Sequence, residues 1–302
     1  MEGTLPGARP RPWLPAVLTA LAMIAFAGNS LLCRVALRDT QIDATSFTTL
    51  RLVSGALMLA LLVRGRGARA AGRGSWPSAL ALFAYAAGFS FAYLSLTAAT
   101  GALLLFGAVQ ATMIGHGLWS GERLRWLQWV GLLLALGGLV GLLLPGLSAP
   151  PLVGSLLMLG AGVAWGVYSL RGRGAGDPTR VTAGNFLRAA PIALGLSLVM
   201  RDHIAWDWAG GGYALASGAL ASGIGYAIWY AALPSLKATH AATVQLSVPV
   251  LAALGGIALL GESMTGRLVL ASVAILGGIA LVVLEKRPDS AQRGIHSPDD
   301  EG

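Results

Sequence analysis

The chain has 302 residues, of which 55% are hydrophobic and only 11% charged, whereas a soluble domain carries about 25% charged residues; water is not its main solvent. A net charge of +8 does not mark a nucleic-acid surface here, because the arginines cluster between apolar segments rather than along one helical face. The single cysteine, Cys33, sits in an apolar stretch and supplies neither a disulfide framework nor a metal cluster, so no cofactor and no metal are expected.

A helix that crosses the hydrocarbon core needs about 20 mostly apolar residues, and ten such runs follow one another, near 14–36, 45–63, 77–97, 100–119, 125–144, 152–170, 180–200, 209–232, 237–260 and 267–285. The first follows Arg9 and Arg11, and its Ala25-Phe26-Ala27 imitates a signal-peptide cleavage site. Its apolar character continues through Leu31, Leu32 and Val35, so it is read as a span. The breaks at Thr97–Gly101 and Pro234–Lys237 are short small-residue hinges, while Pro145–Pro151 is an uncharged loop. The 42 glycines lie inside the runs, where small residues let helices approach closely in lipid.

Loop charge orients the spans, because Lys and Arg accumulate in cytoplasmic loops. Arg9, Arg11, Arg64, Arg66, Arg69, Arg73, Arg123, Arg125, Arg171, Arg173, Arg180, Lys237, Lys286, Arg287 and Arg293 fall on one side, against Arg38, Arg201 and Arg267 on the other. The alternation requires both hinges to be real turns and places both termini in the cytoplasm.

The chain also repeats itself. Gly121-Glu122 and Leu136-Gly137-Gly138 recur as Gly261-Glu262 and Leu276-Gly277-Gly278, Phe26-Ala27-Gly28-Asn29 matches Trp165-Gly166-Val167-Tyr168, and Arg51 and Tyr93 are aligned with Arg188 and Tyr230. A half with five spans has an odd number of crossings, so the second copy starts on the opposite face and the halves are inverted. The expected organisation is a cytoplasmic tail 1–13, a five-helix repeat 14–144, a periplasmic linker 145–151, a second repeat 152–285 and a cytoplasmic tail 286–302. Inverted repeats are characteristic of secondary transporters with a site near the midplane.

With an aromatic-Gly or Phe-Ala-Gly-Asn signature in the first helix, an arginine in the second, a Tyr in the third and a Gly-Glu turn between the fourth and fifth, the chain resembles the EamA-type drug/metabolite transporters over residues 14–285. Within them it looks most like bacterial amino acid exporters, including the YddG-like group. The resemblance implies an all-α integral membrane protein of the bacterial cytoplasmic membrane, with ten helices around a central cavity lined by helices 1, 3, 4, 6, 8 and 9. It also implies a hinge proline in the fourth and ninth helices; Pro249 occupies one place, but Val109 stands in the other.

Polar residues deep in a span face a cavity or another helix. Asn29, Gln110 and Gln245 offer amide donors and acceptors that suit a zwitterion or an interhelical bond. Tyr85, Phe89 and Tyr93 recur every four residues on one helix face, and Trp165, Tyr168, Tyr226, Trp229 and Tyr230 supply further rings that bind apolar groups by stacking and ammonium groups by cation–π attraction. These residues, Tyr230 excepted, form the candidate substrate site. Arg51 and Arg188 are expected to act as scaffold, bonding backbone carbonyls, and Glu122 and Glu262 to cap the helices that follow them. No Asp or Glu stands near a midplane, so a carboxylate proton relay has no candidate and a facilitator is expected. The alternatives are a proton-coupled exporter of drugs or other metabolites, and a membrane-embedded enzyme. An enzyme would need a clustered acid, base, metal or nucleophile set that the chain does not present. The partners expected are a small-molecule substrate and the bilayer, with no nucleic acid and a monomeric state.

Overall fold

Lipid offers backbone polar groups no partners, so apolar runs satisfy their own N–H and C=O groups as helices; every regular element among the described residues is helical. The computed structural model describes residues 13–65, 73–121, 123–146, 149–172, 176–236, 241 and 244–284. The two terminal tails, Glu122 and the loop cations Arg66, Arg69, Arg173 and Lys237 lie outside these residues, but for Trp13.

The elements are α1 (Leu14–Asp39), α2 (Ala44–Arg64), α3 (Trp76–Tyr93), α4 (Ala98–Trp119), α5 (Trp126–Leu143), α6 (Leu152–Gly172), α7 (Pro178–Val199), α8 (Trp208–Ala216), α9 (Gly225–Ala232), α10 (Ser247–Leu260) and α11 (Gly266–Leu284). Among them α1, α2, α4, α5, α6, α7 and α11 are long and apolar enough to cross a membrane. Side-chain caps set the starting points: Asp43, Ser75, Thr97, Asp177 and Asp207 accept from first-turn backbone N–H groups of α2, α3, α4, α7 and α8.

Three expectations shift. The third run ends at Tyr93 rather than 97, because Thr97 is the cap of α4 and the chain must turn before it. The eighth run is not one regular helix: a π-helical segment, Ser217–Ile224, joins α8 to α9. There Gly218 lies against the Arg51 carbonyl and the Ser54 hydroxyl of α2, leaving no room for a Cβ. In the ninth run the described helix α10 begins only at Ser247, after a turn at Leu246. Pro249 accounts for the break, since its ring lacks an N–H and crowds the carbonyl of Gln245. Val109 sits inside the unbroken α4, so the paired helices differ at this place.

The larger interhelical contacts come in pairs that exchange the two halves. The contact of α3 with α6 matches that of α8 and α9 with α1, α4 on α6 matches α10 on α1, and α3 on α7 matches α8 on α2; α2–α7, α4–α10 and α5–α11 match themselves. Cap register refines the repeat. Aligning α2 and α7 on Asp43 and Asp177 pairs Thr45 with Thr179, Thr48 with Thr182 and Arg51 with Asn185, so Arg51 and Arg188 are not equivalent.

The α5–α11 pair lies outside the polar interior and is held by glycines. A Cβ at Gly131 would meet the Gly278 carbonyl at 2.5 Å, and a Cβ at Gly278 would meet that of Gly131. Replacing Gly278 by isoleucine should force the two helices apart and cost about 1–3 kcal/mol. A lower melting temperature of the detergent-purified protein would register this; an unchanged one would contradict the close packing.

Candidate functional site

Tyr85 is the hub of the interior. It is buried on α3, its ring tilted against Trp165 of α6 at 4.7 Å and against Phe89 of its own helix at 5.5 Å, and its hydroxyl receives Asn29 Nδ2 at 3.4 Å and Arg51 Nη2 at 2.8 Å. The four-residue spacing therefore serves its purpose: it turns Tyr85 and Phe89 to the same face, against α1, α2 and α6. Asn29, 6% exposed, accepts at 2.6 Å from Ser217 Oγ, the first residue of the π segment. One amide thus joins the two halves.

The second half contributes a column of rings. Trp165 stacks on Tyr168 at 5.1 Å and on Tyr226 at 5.4 Å, with interplanar angles of 25° and 21°. Tyr226 meets Phe26, Phe186 and Tyr230, and Phe26 also meets Trp229 edge-on at 6.2 Å. Tyr168 is held from behind, since its hydroxyl donates to Thr182 Oγ1 and receives Asn185 Nδ2, both at 3.4 Å. The rings expected to line a cavity are in mutual contact, and α2, which the family resemblance places outside the cavity, reaches the same cluster through Arg51.

The structure brings Asn29, Tyr85, Phe89, Trp165, Tyr168, Tyr226 and Trp229 together. Tyr93 belongs to a different device: it packs edge-on against Phe89 at 4.8 Å, but its hydroxyl donates to the Ala98 carbonyl at 3.3 Å and fixes the α3–α4 turn. Gln110 is buried on α4 without a hydrogen bond to the cluster among the described residues, and half-buried Gln245 precedes α10 next to the Pro249 break.

Two groups, Glu262 and Arg51, make other bonds than expected. Glu262 does not cap its own helix, a task that Thr265 performs for α11 by accepting from Leu268 N. Gly261 adopts the left-handed conformation, φ 64°, which a side chain disfavours. The turn sends the Glu262 carboxylate across the molecule, where Oε2 accepts from Ala98 N at 2.8 Å and Oε1 pairs with Arg34 Nε at 3.1 Å. Arg34 Nη1 in turn donates to the Tyr93 carbonyl. This closure ties the ends of α1, α3, α4 and α10. Arg188 does bond carbonyls, those of Arg73 and Gly184, whereas Arg51 bonds none among the described residues. The signal for Arg51 was present in the sequence, since an arginine in mid-span is a functional candidate by default.

With this geometry the chain can be compared with known proteins. A model of the EamA-like transporter family matches it twice, over residues 13–144 and 152–284, which makes it a two-repeat membrane protein. An uncharacterized protein of Pseudomonas aeruginosa is 61% identical over 280 residues, covering 92% of this chain and 97% of the relative. The threonine/homoserine exporter RhtA of Salmonella typhimurium is 31% identical over 87% of this chain and 89% of its own length, and that of Escherichia coli K12 30% identical over 92% and 94%. A solved crystal structure, 22% identical, superposes with a TM-score of 0.60 over 89% of this chain and 96% of its own, a likeness of fold.

The closure has a measurable strength. Glu262→Gln removes the charge that faces Arg34, whose side chain is 13% exposed, and weakens the bond to Ala98 N; breaking a partly buried pair of this kind should cost about 1–3 kcal/mol. A double-mutant cycle with Arg34→Gln, read by thermal unfolding, should return a coupling of about 1 kcal/mol or more. Additive losses would show that the two side chains do not act together.

Proposed function

The chain belongs to the EamA-like transporter family, and on that premise we propose that it exports amino acids and related small neutral or zwitterionic metabolites across the bacterial cytoplasmic membrane by alternating access. The observation that carries this reading is the likeness to the threonine/homoserine exporters along nearly the whole chain. The proposed frame is ten spans in two inverted repeats, 14–144 and 152–285, with both termini cytoplasmic. Paired interhelical contacts and the odd number of spans in each half support it.

The substrate binds between the halves, at Asn29, Tyr85, Phe89, Trp165, Tyr168, Tyr226 and Trp229, with Tyr93, Gln110 and Gln245 above and beside them. Their amides and rings suit a small polar molecule with an apolar side chain. In the arrangement described the rings fill the site and Arg34–Glu262 joins the helix ends on one side. Opening toward that side separates this pair, and Pro249 is the hinge that lets the α10 half-helix move. Transport is facilitated rather than proton-driven, because the sequence puts no carboxylate at mid-span.

Purified protein in liposomes, tested by counterflow with labelled threonine, homoserine and a panel of unrelated drugs, should exchange the amino acids, and a proton ionophore should leave the rate unchanged. Asn29→Ala, which cuts the link from Tyr85 to Ser217, should lower exchange about tenfold or more, as loss of one or two hydrogen bonds implies. Flux of drugs without amino acids would defeat the substrate assignment, and stoichiometric proton movement would defeat the facilitator.

A further inference from the structure

Among the described residues Arg51 is the only charged side chain in the fully buried core, at 1% exposure. Its ionisable neighbours are Tyr85, Tyr226 and Cys33, with no carboxylate among them. The faces of the guanidinium are covered, with Cζ 5.0 Å from the Tyr85 ring and 4.8 Å from the Phe89 ring. In its plane, however, only Nη2 is engaged, by the Tyr85 hydroxyl, while Nε and Nη1 have no hydrogen-bond partner. A buried charge with unsatisfied donors is strongly unfavourable unless a partner arrives. Every other arginine of the interior has one: Arg34 has Glu262, and Arg188 has two carbonyls.

We propose that the missing partner is the carboxylate of the transported molecule, so that Arg51 selects acids among the small metabolites that reach the site. This inference rests on the transporter reading above. A carboxylate takes two parallel N–H donors from one guanidinium in a fixed plane; here one unsatisfied nitrogen and the second hydrogen of Nη2 would supply the pair, in the plane left open between the two rings. The ammonium group of an amino acid then lies against Trp165 and Tyr226 once their stack opens, since aromatic faces attract cations without a carboxylate. A phosphate dianion would need a second cation, and the described core holds only Arg51. Arg51 reaches the centre because the π segment lets Gly218 sit directly on the backbone of α2. The asymmetry of the halves also acquires a reason: the place equivalent to Arg51 in α7 is Asn185, which serves Tyr168 and the backbone of Ser75.

The test compares molecules that keep the carboxylate with molecules that lack it. Counterflow of labelled threonine through the full-length protein is challenged with threonine, threonine amide, threoninol and 3-hydroxybutyrate. Threonine and the hydroxy acid should compete, with the amide and the alcohol about tenfold weaker or more. Arg51→Gln should weaken threonine about 10- to 100-fold, the effect of losing charged hydrogen bonds, and abolish the preference of acid over amide. Arg51→Lys, which keeps the charge without the fork, should retain part of that preference, and Arg188→Gln should lower the melting temperature while leaving it intact. Equal competition by acid and amide in the wild type, or an undiminished preference in Arg51→Gln, overturns the assignment. If no amino acid is exchanged at all, the amino-acid reading fails by itself. The same acid and amide pairs are then read by thermal shift of the detergent-purified protein: stabilisation by acids that Arg51→Gln removes upholds the carboxylate site, and its absence in the wild type overturns it.

Discussion

Where helices stop, their end N–H and C=O groups lose intrahelical partners, and here each half draws on the other to satisfy some of them. Glu262 of the second half caps α4 of the first through Ala98 N. Asp43 of the first half accepts from Ala205 N of the second and donates its own N–H to the Ala205 carbonyl. Asn185 receives Ser75 N at 2.8 Å, and Arg188 bonds the Arg73 carbonyl. Most of these bonds stand toward the ends of the helices, where the halves are tied together; Thr49 adds a tie from α2 to the Ala193 carbonyl and the Ser197 hydroxyl of α7, and at the ring cluster Asn29 bonds Ser217.

That distribution bears on motion. Bonds at helix ends are local and discrete, so a set on one side can break while the set on the other side holds, which is the condition for rocking one half against its partner. The interior is different in kind. Aromatic contacts have broad geometric tolerance, so under the proposed alternating access Trp165 would exchange contacts with Tyr85, Tyr168 and Tyr226 at little cost. A polar network of the same size would have to rebuild every bond in step. The α5–α11 pair, locked glycine against glycine, has no comparable tolerance and acts as a fixed buttress.

Much of this was legible in the sequence because lipid imposes simple rules. The length of apolar runs and the four-residue recurrence of Tyr85, Phe89 and Tyr93 are local signals whose structural consequence is nearly forced, whereas Thr97, read as part of a hinge, proves to be the cap of α4. The rest depended on contacts across the halves, for which local pattern carries no information. A Gly-Glu turn looks the same whether its carboxylate caps the next helix or reaches Ala98 on α4. An apolar run of small residues such as Ser217–Ile224 does not announce a π-helical insertion, since that follows from the seat Gly218 takes on α2. The register of α2 against α7 is written in the Asp-x-Thr-x-x-Thr that starts both, but Arg188, one turn beyond Asn185, imitates an equivalent of Arg51.

The corrected register changes how the repeat is understood. If Arg51 had an equivalent arginine in α7, two like charges would face one interior and the symmetric arrangement would serve the scaffold. With Asn185 there instead, duplication has supplied two similar frames and only one of them carries charge. The Asn185 frame is satisfied, through Tyr168 and Ser75; the Arg51 frame is satisfied at one nitrogen and covered on both faces. On the proposed reading, such a polarised interior would give a small bound molecule one preferred end, so an otherwise two-fold site would have a direction, set by which helix holds the cation rather than by the rings that both halves share.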